Sequence, residues 1–218
     1  MLSTRLILIE GLPGAGKSTA TVYLEKTLRD CGWNARGYRE QEDPHPLPCL
    51  DYPIQGLPGR MIPLWERFVQ QAAVSETITI IESRLWQNTA LFMYLSECPP
   101  ESILAFNRQL AQALAPLSPV LIYLDQRDVR GALDRLRALR GEAWTRSTMA
   151  EMAAYAWFRS RACSGFDAWV NFFEDWHRLA GRLYRAWPEP KLRLVDAQAD
   201  YSGAYRKLGT FLQLRPEG

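Results

Sequence analysis

Apolar runs of strand length alternate with segments of helical periodicity along this 218-residue chain. Most of the runs are rich in Val, Ile and Leu, as buried strands are, and a further short strand is predicted between the first two runs. The predicted strands cover residues 6–9, 34–38, 77–81, 119–124 and 192–195. Their alternation with helices predicts one α/β domain over residues 1–218, with a five-stranded parallel sheet and helices on both faces.

In the helical segments, apolar residues recur every three or four positions. The predicted helices cover residues 17–30, 63–74, 86–96, 100–115, 128–140, 149–161, 166–187 and 205–214. Gly32 and Gly141 follow two of them, as expected where a helix ends. Proline and glycine are frequent at residues 40–63, which predicts a long acceptor-side loop there rather than regular structure.

The most specific motif lies between the first strand and the first helix. Gly11, Gly16, Lys17 and Ser18 satisfy the pattern G-x-x-x-x-G-K-[ST], which predicts the phosphate-binding loop of a P-loop NTPase. Glycines let backbone N–H groups converge on phosphate oxygens, Lys17 can reach the β- and γ-phosphates, and the Ser18 hydroxyl can ligate Mg²⁺. We therefore expect a nucleoside triphosphate, taken to be ATP, and Mg²⁺ as cofactors. The sequence does not distinguish ATP from GTP. The predicted cofactor-binding residues are Gly11, Gly14, Ala15, Gly16, Lys17, Ser18 and Thr19.

Polar segments stand at the ends of the other predicted strands. In a parallel sheet the carboxyl ends of the strands form one rim, where ligands bind. Glu82 ends a buried strand on this rim, so we expect it to hold a metal-bound water beside Ser18. The alternative is that Glu82 is only a charge at the end of a strand. The rim segments are residues 11–18, 39–40, 82–84, 125–130 and 196–197.

Composition narrows the classes of partner. The formal net charge is +2 and the pI is near 8.4, too mild a positive balance to indicate nucleic acid binding. The four cysteines lie far apart, which favours the reduced thiols of a cytoplasmic protein over disulfides or a zinc site. The longest apolar stretches are too short to span a membrane, so we expect no membrane association and no signal peptide. A homodimer is compatible with the sequence.

Several classes of phosphate-loop protein are disfavoured by motifs that the chain lacks. It has no Asn-Lys-x-Asp to read guanine, as a GTPase switch would need, and no Leu-Ser-Gly-Gly-Gln-like signature of an ABC-type ATPase. Helicases and AAA motors are normally longer. A small-molecule kinase is the first interpretation, and an ATP-binding switch or accessory ATPase without phosphoryl transfer is the alternative.

Short motifs around the loop resemble the thymidylate kinase and deoxyribonucleoside kinase branch of phosphate-loop kinases. Residues 38–40, Tyr-Arg-Glu, are similar to the Arg-Glu-Pro of those families, with Gln41 in place of Pro. Residues 81–84, Ile-Glu-Ser-Arg, are similar to their Glu-Arg-Ser motif, with Ser and Arg exchanged. The Arg-rich segment 125–147 resembles their lid, and residues 195–197 resemble the last-strand turn that passes near the adenine.

The resemblance implies transfer of the γ-phosphoryl group of Mg-ATP to a small molecule. A nucleoside or nucleotide is the first expectation, and an antibiotic or other metabolite hydroxyl is the alternative acceptor. The implied catalytic residues are Lys17, Glu40 as the general base, Arg84, and Arg130 as the lid arginine that closes over the phosphates. Glu40 could instead be one acid of an acidic surface loop, and the lid arginines could form a solvated helix face.

Tryptophan is frequent, with eight residues. Those on one helical stripe are predicted to lie in the core: Trp169, Trp176 and Trp187. Others lie nearer the predicted acceptor cleft, where they could stack on a planar substrate: Trp65, Trp86 and Trp157.

Overall fold

A parallel sheet forms the centre of the molecule. The computed structural model describes residues 3–48 and 57–214. The strands are β1 (Leu6–Gly11), β2 (Ala35–Tyr38), β3 (Ile78–Glu82), β4 (Val120–Asp125) and β5 (Lys191–Val195). Their order is β2-β3-β1-β4-β5, and each neighbouring pair is parallel. The predicted five-stranded parallel sheet is confirmed, and β1 is its central strand.

Helices connect the strands and pack on the sheet. They are α1 (Lys17–Asp30), α2 (Leu57–Ala73), α3 (Leu91–Leu95), α4 (Pro100–Leu114), α5 (Val129–Ala153), α6 (Ala156–Ser160), α7 (Gly165–Ala186) and α8 (Tyr201–Phe211). A π-helical turn, Trp86–Ala90, leads directly into α3. None of the described helices is both long and apolar enough to cross a bilayer.

The alternation of side chains along each strand divides the apolar residues between two cores. In β1, Leu6 and Leu8 belong to one core, which α2 to α7 complete. Ile7 and Ile9 belong to the other core, which α1 and α8 complete. Helices therefore cover both faces of the sheet, as predicted, and β1 is buried along its whole length.

The predicted loop at residues 40–63 is wrong at its end, because α2 begins at Leu57. Pro63 lies inside α2, where it is exposed and lacks the N–H that a helix interior uses. The helix continues through Pro63 because the next residues on its buried face, Trp65 and Phe68, pack into the core. Residues 40–48 contain neither helix nor strand, and the rest of the predicted loop, residues 49–56, lies outside the described residues.

The Arg-rich helix also differs from its prediction. Gly141 adopts φ 84° and ψ 172°, so the helix does break where glycine predicted its end. A second helical half follows at once and continues to Ala153, and both halves together form α5. The predicted helix at residues 149–161 is therefore divided between the end of α5 and the short α6. The predicted lid segment, residues 125–147, comprises the end of β4 and most of α5.

Candidate functional site

The glycine-rich loop joins the end of β1 to the start of α1. Gly14 and Gly16 have φ of 78° and 91°, a backbone region that favours glycine. Gly11 is needed for a different reason, because a Cβ there would lie 2.6 Å from the carbonyl oxygen of Leu124 on β4. Among the described residues, no side chain caps the N-terminus of α1. The first N–H groups of this helix are therefore available to an anion.

Lys17 is buried at the start of α1 and folds back over the loop. Its Nζ donates hydrogen bonds to the carbonyl oxygens of Gly11 and Leu12, each at 3.0 Å. Burial lowers the pKa of Lys17, while nearby carboxylates, first that of Glu40, act in the opposite direction. The ammonium group thus has backbone partners that it can exchange for the oxygens of a bound phosphate.

Glu82 joins the loop, α1 and the segment after β2. Its carboxylate accepts hydrogen bonds from the Ser18 hydroxyl at 2.7 Å, from the Thr21 hydroxyl at 3.0 Å and from the Glu40 N–H at 3.0 Å. Glu82 is only 2% exposed. The structure therefore brings together Ser18 and Glu82, the two predicted metal-site residues.

This oxygen pair fits Mg²⁺, which is usually held by one or two protein oxygens together with water and substrate phosphates. The described residues contain no group of three or more His, Cys, Asp or Glu side chains that could hold a metal without such help. A metal bound here would therefore complete its coordination shell with water or phosphate oxygens.

Glu40 is held by contacts from three sides. Its N–H donates to Glu82, its carbonyl oxygen accepts from Arg84 Nη2 at 2.7 Å, and its carboxylate oxygens both accept from Gln87 Nε2 at 3.2 Å. Gln87 lies on the π-helical turn before α3. Glu40 is therefore positioned by side chains from β3 and from the turns that follow it. No motif indicated the contribution of Gln87.

Arg84 lies behind Glu40 and does not line the cavity that opens onto the glycine-rich loop. It is 3% exposed, and its Nε and Nη1 atoms have no hydrogen-bond partner among the described residues. Burial and the positive charge of Arg84 lower the pKa of His45 to about 4. In this structure Arg84 supports the backbone of Glu40.

Glu10 is a buried carboxyl group that the sequence interpretation missed. It accepts hydrogen bonds from the N–H groups of Leu85 at 2.8 Å and Gln87 at 3.3 Å, at the start of the π-helical turn. Burial raises its pKa to about 7, although these hydrogen bonds and Lys17 favour the charged form. Its signal in the sequence is an acid at the end of an otherwise apolar strand.

A cavity of about 570 Å³ opens onto the loop. Residues 13–19 form part of its wall, together with Glu40 and Glu82. A second part is apolar and aromatic and comes from α3, α5, α7 and the turn before α6; it comprises Leu91, Phe92, Leu95, Leu136, Leu139, Trp144, Met152, Tyr155, Trp169 and Phe173. A third part, Gln198 and Tyr201, comes from the segment that follows β5. The loop and Glu40 thus share one cavity with a large apolar surface.

The predicted lid arginine is not part of this wall. Arg130 is exposed and forms an ion pair with Asp167 at 2.9 Å. Arg140, at the break of α5, is the arginine of this helix that lines the cavity. Arg39 is also outside the wall and pairs with Glu42.

The prediction for the cleft tryptophans is wrong. They are buried in the core and outside the cavity wall: Trp65, Trp86 and Trp157. Trp176 and Trp187 lie in the core as predicted. Trp169 is also buried there, but it lines the cavity together with Trp144.

Tyr201 was missed because the last helix begins earlier than predicted, and Gln198 lies in the turn just before that helix. Asp200 caps α8 by accepting the N–H of Gly203 at 2.8 Å, so α8 starts at Tyr201 rather than near residue 205. Gln198 Nε2 donates to the carbonyl oxygen of Gly14 in the loop. An aspartate followed three residues later by glycine was the available signal for this helix start.

No family model matches the chain, and no curated protein matches its sequence at a significant level. The fold and the site define a parallel α/β protein with a glycine-rich loop and two buried acids, Glu10 and Glu82, at the carboxyl edge of the sheet.

Proposed function

We propose that the chain is an ATP-dependent phosphotransferase with a P-loop NTPase fold, similar to nucleotide kinases. It would transfer the γ-phosphoryl group of Mg-ATP to a hydroxyl group of a small molecule. The observation that carries this proposal is that Glu40, held by three neighbours, shares one cavity wall with the glycine-rich loop. A carboxylate fixed beside a phosphate site is the arrangement that hydroxyl phosphorylation needs.

The donor phosphates would bind to the loop and to the first turn of α1. Lys17 would release the carbonyl oxygens of Gly11 and Leu12 and bind the β- and γ-phosphates instead. Ser18 and Glu82 would hold Mg²⁺, which neutralises the charge of the phosphates when bound. Gln198 and Tyr201, which line the same cavity beside the loop, would contact the nucleoside part of the donor.

Glu40 would act as the general base for the acceptor hydroxyl. The hydrogen bonds from Gln87 hold its carboxylate in one orientation. A base in a fixed orientation removes the proton as the hydroxyl oxygen attacks phosphorus, and such groups typically contribute about 100- to 10,000-fold in rate.

The test is ADP release from Mg-ATP in the presence of a panel of hydroxylated small molecules. Lys17→Ala supplies the blank, because it removes the cation at the phosphates. Glu40→Gln should lower kcat by roughly 100- to 10,000-fold. Glu42→Gln is the matched control, since this acid lies two residues away, pairs with arginines and is outside the cavity wall.

The outcome that contradicts the proposal is ATP hydrolysis that no acceptor stimulates and that Glu40→Gln leaves unchanged. That result would instead support an ATP-binding switch or accessory ATPase.

A further inference from the structure

The apolar part of the cavity wall indicates the chemistry of the acceptor. Leu91 and Leu95 from α3 face the cavity together with Trp169 and Phe173 from α7 and Trp144 from α5. We call these five side chains the apolar chamber. They offer contact surface to a ring or an alkyl body, but they have almost no hydrogen-bonding groups for the polar edge of a nucleobase.

The charges in the wall disfavour an acceptor that already carries phosphate. Among the described residues, Lys17 and Arg140 are the cations of the wall, and Glu40, Glu82 and Glu151 are its carboxylates. Lys17 would be engaged by the donor phosphates, which leaves one exposed arginine for any second phosphate. The carboxylates would repel such a group, whereas a neutral or weakly basic acceptor meets no repulsion.

An exposed apolar residue, Leu139, lines the cavity close to the interruption of α5. Leu139 is 81% exposed and lines the cavity, two residues before Gly141. Gly141 interrupts α5 between this residue and Trp144 of the apolar chamber. An apolar occupant would remove the side chain of Leu139 from contact with water, which is energetically favourable.

We propose that the acceptor is a phosphate-free alcohol with a ring-sized apolar body. Its apolar body would lie in the apolar chamber and its reacting hydroxyl at Glu40. The inference rests on the proposed phosphotransferase function. In the reaction, the hydroxyl oxygen bonds to the γ-phosphorus, the bond from phosphorus to the β–γ bridging oxygen breaks, the proton passes to Glu40, and ADP leaves.

The test compares acceptors that differ in one property at a time. The probes are 1-(2-naphthyl)ethane-1,2-diol, glycerol, which carries vicinal hydroxyl groups but no ring, thymidine, and thymidine monophosphate. We expect kcat/KM for the naphthyl diol to exceed that for glycerol by about 100-fold or more, from burial of the ring. We also expect the naphthyl diol to change tryptophan fluorescence through Trp144 and Trp169 when no transfer occurs, with a non-hydrolysable ATP analogue bound.

Variants of the wall separate binding from folding. Trp144→Ala should raise KM for the naphthyl diol by about 10-fold and leave KM for ATP unchanged. Trp33→Ala is the matched control, a partly buried tryptophan that packs against the opposite core. Leu139→Asp is a second variant at a highly exposed position, where folding is little affected, and it should also raise KM for the diol.

The outcomes distinguish failure of the proposed acceptor class from failure of the proposed phosphotransferase function. Faster transfer to thymidine or thymidine monophosphate than to the naphthyl diol overturns the proposed acceptor class and leaves the phosphotransferase intact. Equal rates with glycerol and the naphthyl diol also overturn it. Absence of Lys17-dependent ADP release with every probe overturns the phosphotransferase, whatever the fluorescence shows.

Discussion

Substitution of Glu10 should change how the stability of the protein depends on pH. Burial raises the pKa of this carboxyl group from 4.5 to about 7. The folded protein therefore keeps the proton to higher pH than the unfolded chain does. The stabilisation that protonated Glu10 contributes is complete below the ordinary pKa of 4.5, which applies in the unfolded chain. It is lost as the pH rises through the folded-state pKa of about 7. That shift corresponds to roughly 3 kcal/mol.

Glu10→Gln removes this titration, because the amide is neutral at every pH and has nearly the same shape. The difference in free energy of unfolding between the wild type and the variant should change by roughly 3 kcal/mol between about pH 4 and about pH 8, in favour of the wild type at acid pH. The assay is urea unfolding, followed by tryptophan fluorescence, at a series of pH values. Titrating groups that do not interact with Glu10 affect both proteins alike and cancel in the difference.

Glu66→Gln is the matched control, because Glu66 is an exposed acid on α2. It should leave the pH dependence unchanged. If Glu10→Gln and the wild type differ by a constant amount over this pH range, the carboxyl group of Glu10 titrates alike in the folded and unfolded states, and the reasoning from its burial is refuted.

Two further substitutions test the support of the site. Gly11→Ala would place a Cβ 2.6 Å from the carbonyl oxygen of Leu124, so we expect a loss of about 1–3 kcal/mol, measured as a lower Tm. Asp125 accepts hydrogen bonds from His177 at 2.6 Å and from Arg193 at 2.6 Å, and these lower its pKa although burial alone would raise it. Asp125→Asn should destabilise the protein by about 2 kcal/mol near neutral pH. In the wild type, the stabilisation from the ionised Asp125 is lost as the pH falls through its lowered pKa. The Asp125→Asn variant should lack this part of the acid-induced loss of stability.

Controls for these two predictions lie elsewhere in the chain. Gly59→Ala introduces a Cβ with nothing within 4 Å, so its Tm should not fall. Asp134→Asn removes an exposed acid of α5 and should leave the loss of stability at acid pH unchanged. Equal Tm values for Gly11→Ala and the wild type would contradict the close approach of β1 and β4. Parallel pH curves for Asp125→Asn and the wild type would contradict the role of its ion pairs.

The sequence alone predicts the elements that depend on a few consecutive residues. The first helix begins and ends at the predicted residues, since Gly16 and Gly32 adopt positive φ at its two ends. The strands β1, β3 and β4 follow from apolar runs, because a fully buried strand needs apolar side chains on both faces. The juxtaposition of Ser18 and Glu82 follows as well, because neighbouring parallel strands end at the same rim. Each of these depends on local backbone preference or on strand alternation.

Only the tertiary structure decided the meeting of those distant side chains that no motif or strand end marks. Gln87 contacts Glu40, 47 positions away, because Glu10 binds the start of the π-helical turn that carries it. Arg140 rather than Arg130 lines the cavity, although both lie on one helix. The physical reason is that local preferences determine whether a segment is helical. The rotation of a helix about its axis depends instead on burying its apolar face against distant parts of the chain, and that rotation determines which side chains reach the cavity.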